Sequence, residues 1–227
     1  MSIQEVHQEF KFRLDKMDSF NYPNLLPEEI DLLLNNAQDV FVKQRYGITN
    51  TKKQGLEDTQ KRTEDLKSLV RNAVLVPIAN SSENIDDNAQ FVILPQDHWF
   101  IIEERCKITY TNCNNELVSD RVYTKDINHD EFNDVISNPF QKPNLEKCVR
   151  LMENGKVEIL HSPLATLNEY HLRYIKKPVR VDLTSSTTFE LSEHTHTEIV
   201  SIAVDIALEN IESKRLQTHT QITNIQE

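Results

Sequence analysis

The sequence predicts an α+β protein, with amino-terminal helices, a central and mainly antiparallel β-sheet, and a long carboxy-terminal helix. Apolar residues recur at three- and four-residue spacing up to residue 76, the period shortens to that of strands between residues 91 and 181, and helical spacing returns from residue 192. We expect one compact structural unit in five segments: a helical region (1–77), a polar loop (78–90), a β-rich region with one short helix (91–191), the terminal helix (192–216) and a flexible tail (217–227).

The best specified helix covers residues 25–47. Pro27 suits the first helical position, where its missing N–H would have no partner in any case. The carboxylates of Glu28 and Glu29 interact favourably with the positive end of the helix dipole, and Gly47 is expected to end the helix. One apolar stripe predicts that this helix packs against the core, and it consists of Ile30, Leu33, Leu34, Ala37, Val40 and Phe41.

Two further helices are predicted on either side of this one. The first begins at Ile3 and reaches Met17, and a turn over residues 19–24 should bring it antiparallel to the second helix. The third covers about residues 57–71 and has a broad charged face, which is typical of a largely solvated helix.

Strand patterns follow in the central region. Strands are predicted at 91–94, 100–110, 117–123 and 170–181, together with a hairpin that pairs 148–152 with 157–160 around Gly155. Residues 130–137 predict one short helix between the strands.

The terminal helix is apolar on two neighbouring faces. One stripe consists of Ile199, Ile202, Ala203 and Ile206. The second stripe consists of Val200, Val204, Ala207, Leu208 and Ile211. A helix that is apolar over so much of its girth is buried on more than one side. The second stripe either packs inside the chain, between the sheet and the amino-terminal helices, or contacts a neighbouring subunit, and its five residues are our candidate subunit interface.

Composition excludes several classes of function. The 227 residues include 25 Lys plus Arg and 36 Asp plus Glu, for a formal charge of -11, so we expect no sequence-specific nucleic-acid binding. Only 3 glycines occur, where average usage would give roughly 16, and this scarcity excludes a glycine-rich phosphate cradle. Apolar runs are too short to span a membrane and the amino terminus lacks a signal-peptide pattern, so we expect a soluble protein made in the cytosol, without a membrane partner.

The three cysteines, Cys106, Cys113 and Cys148, are odd in number and form no CxxC pair. Reduced thiols in a reducing compartment are therefore expected.

One cluster has the residue types that bind metals, at the start of the terminal helix: Glu193, His194, His196 and Glu198. His194 and Glu198 would share a helix face, but His196 points elsewhere, and no second cluster supplies the remaining ligands. Helix capping explains the same composition, with Ser192 as the N-cap and Thr195 with Glu198 as a capping-box pair. We expect no metal and no cofactor.

A second pattern resembles part of a calcium loop. Asp126, Asn128 and Asp130 match the first three ligand positions of such a loop. Glu131 stands where the loop requires glycine, and Ser137 stands where it requires a bidentate glutamate. An exposed polar turn that leads into a short helix is the better interpretation.

Other candidate sites lack a supporting motif. Hydrolysis could use Asp97 with His98, or His161 with Ser162, but no GxSxG sequence accompanies either pair. Basic pairs in an acidic chain are typical of solvated faces or subunit contacts. These pairs are Lys52 with Lys53, Lys61 with Arg62, and Lys176 with Lys177 near Arg180.

Five segments in the same order resemble a virion structural protein of crAss-like tailed bacteriophages. They are SIQEVHQEFKFRLDKMDS, NLLPEEIDLLLNNAQDVFVKQRYG, TQKRTEDLKSLV, LRYIKKPVRV and ELSEHTHTEIVSIAVDIALENIES. Such proteins look like the ring or adaptor components that stack beneath the portal and join capsid to tail. Because the matching motifs are helix surfaces and strand edges, the resemblance carries no catalytic residue.

The resemblance implies a non-enzymatic subunit of a head-to-tail connector. It implies a homo-oligomeric ring, of twelve subunits, around a channel through which DNA passes, with the portal and neighbouring neck and tail proteins as partners. The virion neck or tail is the implied location, with the host cytoplasm during assembly. Two alternatives stay open: a small cytosolic metal-dependent hydrolase that uses the His194 region, and an interaction or scaffold protein that forms no ring.

Overall fold

The computed structural model describes residues 1–15, 25–46, 60–78, 86–153 and 155–210. Within these ranges the α+β architecture is confirmed. The helices are α1 (Ile3–Asp15), α2 (Pro27–Tyr46), α3 (Gln60–Leu66), α4 (Phe132–Ser137) and α5 (His196–Asn210). The strands are β1 (Val70–Leu75), β2 (Ala89–Ile93), β3 (His98–Thr111), β4 (Leu117–Asp126), β5 (Lys147–Glu153), β6 (Lys156–Leu160) and β7 (Ala165–Lys176).

The chain divides into two compact units. The helical unit comprises residues 1–69 and 178–227, and the sheet unit comprises residues 70–177. The segment boundaries predicted from the sequence, and the expectation of one structural unit, stay predictions. The predicted turn at 19–24, Gly47, the loop at 79–85, and Ile211 with the rest of the chain after it lie outside the described residues.

The helical unit is built around α5. Helices α1 and α2 both pack against α5. Helix α2 begins at Pro27, as predicted, and its predicted stripe is buried except at Val40, which is half-buried. In α1, Ile3, Val6 and Phe10 are buried on one face, which agrees with the predicted amphipathic pattern.

The third helix differs from its prediction in length and burial. It ends at Leu66, a 3₁₀ turn occupies Lys67–Leu69, and β1 follows at once. Val70 is β-branched and pairs with Ile175 in the sheet, so strand pairing ends the helical segment there. The helix is also less solvated than its charge pattern indicates, because Arg62 and Asp65 are buried.

The sheet unit contains one seven-stranded sheet with the order β1-β7-β3-β4-β5-β6-β2. All neighbours pair antiparallel except β4 and β5, which pair parallel. Parallel neighbours need a crossover connection, and the segment that contains α4 provides it. The predicted hairpin is confirmed: Glu153 pairs with Lys156, and Gly155 has a φ of +72°, a conformation that glycine adopts without strain.

The last predicted strand ends earlier than expected. Strand β7 stops at Lys176, whereas the pattern predicted extended pairing up to residue 181. Pro178 has no N–H to donate to a ladder, which explains why pairing stops beside it.

Apolar side chains on one face of the sheet form a single core cluster. Its buried members are Val92, Leu94, Cys106, Ile108, Val122, Cys148, Val157, Ile159, Ala165, Leu167, Tyr170, Leu172 and Tyr174. On the other face, α4 covers Val149, Leu151 and Leu160. Cys106 and Cys148 are free and buried, and Cys113 is free and exposed. No helix in the described ranges is long and apolar enough to cross a membrane.

Candidate functional site

The histidine and glutamate cluster at the start of α5 makes separate structural contacts. Glu193 Oε1 lies 2.8 Å from the amino-terminal nitrogen of Met1. His194 Nε2 lies 2.7 Å from Asp65 Oδ1, and His196 Nε2 lies 3.0 Å from the carbonyl oxygen of Leu191. Glu198 forms ion pairs with two cations described below. Among the residues that the structure describes, no group of three metal-ligating side chains converges.

The predicted capping contacts of this segment are not the ones observed. Ser192 occupies the N-cap position of a 3₁₀ turn (Glu193–Thr195), but its hydroxyl donates to the carbonyl of Glu64 at 3.3 Å. The Thr195 hydroxyl donates to the carbonyl of Ser192 at 2.8 Å. The difference arises because a 3₁₀ turn precedes α5, so the first backbone bonds follow i+3 spacing and α5 starts only at His196.

Asp65 and Arg45 form the centre of a buried ion-pair network. Arg45 Nε lies 3.1 Å from Asp65 Oδ2, and the Asp65 side chain has no solvent exposure. Arg45 also pairs with Glu198, whose other oxygen lies 3.1 Å from Lys61 Nζ. The Arg45 guanidinium lies 4.9 Å from the centre of the Phe41 ring. The network connects α2, α3 and α5, so its charges serve packing inside the helical unit.

A row of polar side chains on α2 binds the backbone of segment 178–183. Asn35 donates to the carbonyl of Val181 at 2.9 Å and accepts from its N–H at 2.8 Å. Gln38 donates to the carbonyl of Val179 at 3.2 Å, and Asp31 accepts from the N–H of Leu183 at 3.1 Å. Sequence reasoning missed this row, although its members recur at the helical spacing beside the apolar stripe.

A second buried network lies in the sheet unit around Arg150. Arg150 Nε lies 2.9 Å from Glu104, and Arg150 Nη2 lies 2.8 Å from Asp126. Tyr170 donates its hydroxyl to Glu104. Burial raises the pKa of Glu104, while Arg150 and the Tyr170 hydroxyl act in the opposite direction. Asp126, the first residue of the pattern that resembles a calcium loop, therefore serves an ion pair.

A groove of about 520 Å³ lies beside this network. Its polar lining includes His98, Asp126, His129, Asp130 and Arg150. The lining contains both acidic and basic side chains, and Asp126 already forms an ion pair with Arg150. The described lining therefore has no side chain arranged as a nucleophile beside a base.

The two candidate hydrolase pairs also lack that geometry. Asp97 accepts a hydrogen bond from the Tyr174 hydroxyl at 3.0 Å, and burial lowers the pKa of His98. His161 Nδ1 lies 2.9 Å from the carbonyl oxygen of Ser162, whereas a triad would place the imidazole against the hydroxyl. Among the basic pairs, Lys61 pairs with Glu198, and Lys52 with Lys53 lies outside the described residues.

The candidate interface residues on α5 are buried within the helical unit. Val200, Val204, Ala207 and Leu208 have side chains at most 2% exposed, and Ile211 is outside the described part of the chain. This burial agrees with the alternative of packing inside the chain. A contact between this helix and a neighbouring subunit stays a prediction.

The outward side chains of β1, β7, β3 and β4 form a mixed but predominantly basic surface, which we call the basic face. Strand register places Arg105 beside His171 and Tyr123, and Lys107 beside Glu169 and Arg121. The basic face consists of Val74, Glu103, Arg105, Lys107, Arg121, Tyr123, Lys125, Glu169, His171 and Arg173, where Lys125 shares the face of Tyr123 because it lies two residues further along β4. It carries five cations and two carboxylates, although the whole chain is acidic.

Comparison with known proteins agrees with a structural role. A model of the phage tail ring protein 3/4 family matches residues 1–221. Ring protein 4/5 of Bacteroides phage crAss001 is 25% identical over 233 aligned residues, which cover 91% of this chain and 92% of that protein. The resemblance to crAss-like phage structural proteins is thereby confirmed, since the family match includes nearly all residues of both units. The chain belongs to the phage tail ring protein 3/4 family.

Proposed function

We propose that this chain is the repeating subunit of a closed homo-oligomeric ring in the phage head-to-tail connector. The ring lies below the portal, joins capsid to tail, and surrounds the channel through which DNA passes. Twelve copies form the ring, and the portal and adjacent neck or tail proteins are its neighbours. The subunit is located in the virion, after assembly in the host cytoplasm, and it has no catalytic role.

The family match over residues 1–221 is the observation that carries this proposal. The polar clusters recognised in the sequence support a structural role. His194, Glu198 and Asp126 form ion pairs within their own units, and His161 and His196 contact backbone carbonyl oxygens. The formal charge of -11 also suits a channel wall past which DNA must slide without binding.

Mass photometry and electron microscopy of the purified full chain, alone and mixed with portal protein, test the proposal. We expect a single closed ring with one subunit count, and binding of that ring to the portal. A broad distribution of sizes without closure would instead indicate a scaffold protein that forms no ring. Metal analysis of the same sample tests the hydrolase alternative. A stoichiometric bound metal that is lost when His194 is replaced would support that alternative.

A further inference from the structure

We propose that the basic face of one subunit docks onto the exposed surface at the start of α2 in the next subunit of the ring. This acidic helix surface consists of Leu26, Glu28, Glu29, Leu32 and Asn36, which are all exposed. The inference rests on the proposed function, because it assigns the two sides of the contact between neighbouring copies of this chain.

The basic face has more positive charge than its own carboxylates neutralise. Glu103 is shared between Arg105 at 3.0 Å and Arg173 at 3.3 Å. Glu169 is shared between Lys107 at 2.8 Å and His171 at 3.0 Å.

The remaining two cations of the basic face are Arg121 and Lys125. Neither has an ion pair or side-chain hydrogen bond within the part of the chain that the structure describes. An acidic partner surface would therefore find unneutralised cations here.

The basic face also exposes large apolar side chains. Val74 is 59% exposed and Tyr123 is 61% exposed, on the two outer strands of this face. Tyrosine and arginine are enriched in protein interfaces, where an apolar contact excludes water around the charged groups. Exposed apolar groups and two carboxylates within the face favour a protein partner over a phosphate backbone.

The start of α2 offers the complementary composition. Leu26 and Leu32 are 61% and 58% exposed, and Glu28 and Glu29 lie between them in the sequence. Glu29 caps the helix by accepting from the N–H of Leu26 at 2.8 Å. The opposite side of α2 is buried against α5, so this exposed surface is the one that α2 can present to another molecule.

A closed ring requires two complementary surfaces on each subunit. Heterologous contacts in a cyclic assembly join two different surfaces of the same chain, and each subunit must carry both. The basic face and the acidic helix surface are opposite in charge and similar in exposed apolar content. Each subunit would therefore use the basic face towards one neighbour and the acidic helix surface towards the other.

Charge reversal with a mixing test separates this contact from unfolding. The first variant, R121E/K125E, reverses cations that have no described intrachain partner. The second, E28K/N36K, makes the helix surface basic and leaves the capping residue Glu29 in place. Each variant alone should fold, but like charges would meet at every contact and raise the concentration for half-assembly by about 100-fold or more.

Mixing the two variants in equal amounts should restore the ring. An alternating ring brings every reversed face of one variant against the reversed helix surface of the other, so all contacts regain opposite charges. The chain that carries all four substitutions should also assemble. The matched control is K142E/R180E, which reverses exposed cations outside the basic face and should assemble like the wild type.

The outcomes distinguish this inference from the proposed function. A wild-type chain that stays monomeric would overturn both. A wild-type ring that persists in either reversed variant, or a mixture that fails to assemble although both variants are folded, would overturn the docking assignment alone. Binding of the wild type to duplex DNA at physiological salt that R121E/K125E abolishes would assign the face to nucleic acid and equally overturn it.

Discussion

The helical unit and the sheet unit use their polar residues in different ways. In the helical unit, Asp65, Arg45 and the polar row of α2 are turned inward, where they bind other charges or the backbone of segment 178–183. In the sheet unit, backbone ladders, two apolar clusters and the buried pair of Arg150 with Glu104 hold the strands together. The charges of the basic face lie on the outer side of these strands.

This difference separates residues that maintain the fold from residues that can bind a partner. A buried ion pair stabilises only while both partners are present, and loss of one partner leaves a charge without compensation. An exposed charge on a sheet contributes little to folding. We therefore expect substitutions of the buried polar residues to impair folding, and substitutions of the charges on the basic face to impair assembly.

The largest expected effect comes from V204E/L208E on α5. Both side chains are fully buried within the helical unit, so each new carboxylate would cost several kcal/mol in a place without a compensating charge. We expect loss of the folded helical unit, measured by circular dichroism and limited proteolysis. The control L117E/L164E places charges at side chains that are 78% and 75% exposed and should leave the protein folded.

The result of V204E/L208E also decides between the two interpretations of this stripe. A variant that stays folded as a monomer but no longer assembles would assign the stripe to a subunit contact. Full assembly with unchanged thermal stability would show that the stripe is neither core nor contact.

D65N has the next largest expected effect. The substitution keeps the shape of a side chain with no solvent exposure but removes the charge that faces Arg45 and His194. Removing one partner of a buried pair costs roughly 3–5 kcal/mol, to be measured by urea unfolding at 25 °C. The matched change on the basic face, K107Q, removes a partner of Glu169 in a pair whose side chains are each about one third exposed, and it should shift the midpoint far less than D65N does. Equal losses in the two variants would contradict the distinction between the buried network and the basic face.

How much of the fold could be predicted depended on how local each signal was. Helix α2 was predicted well because Pro27, the first-turn carboxylates and the apolar stripe all lie within its own residues. Strand β1 was missed because VRNAVL has no clear alternation and its partner β7 lies about 100 residues later in the chain. Long-range pairing decided its conformation, and no local pattern shows that pairing.

The same limit applies to the candidate sites. The residue types at 193–198 were recognised, but their partners Asp65 and Arg45 belong to distant parts of the sequence. Capping was therefore predicted where ion pairing dominates. The basic face was also missed, since strand register, rather than sequence spacing, places Arg121 and Glu169 beside Lys107.

N35A tests the polar row of α2 with a smaller effect. The substitution removes both hydrogen bonds to the backbone of Val181. Because the N–H and carbonyl of Val181 would lose their partner, we expect a loss of about 1–3 kcal/mol in the free energy of unfolding. N36A, at the exposed neighbouring position, is the control and should leave the free energy of unfolding unchanged. Unchanged stability of N35A would show that water replaces the side chain at no cost.

The smallest expected effect is a pH dependence that H196Q should reduce. Burial lowers the pKa of His196 from its ordinary value of 6.5, and the Leu191 carbonyl opposes the shift only in part. The unfolded chain therefore binds a proton at a higher pH than the folded chain does. This contribution to stability is complete above pH 6.5 and is lost as the pH falls below that value. Gln can still donate to Leu191 but cannot titrate, so the midpoint of urea unfolding should fall less between about pH 7 and 5 in H196Q than in the wild type.

Burial also lowers the pKa of His98 in the sheet unit, which makes H98Q the matched variant. If the two units unfold separately, each substitution should flatten the acid response of its own unit alone. Identical pH profiles for H196Q and the wild type would show that His196 takes up its proton equally in both states.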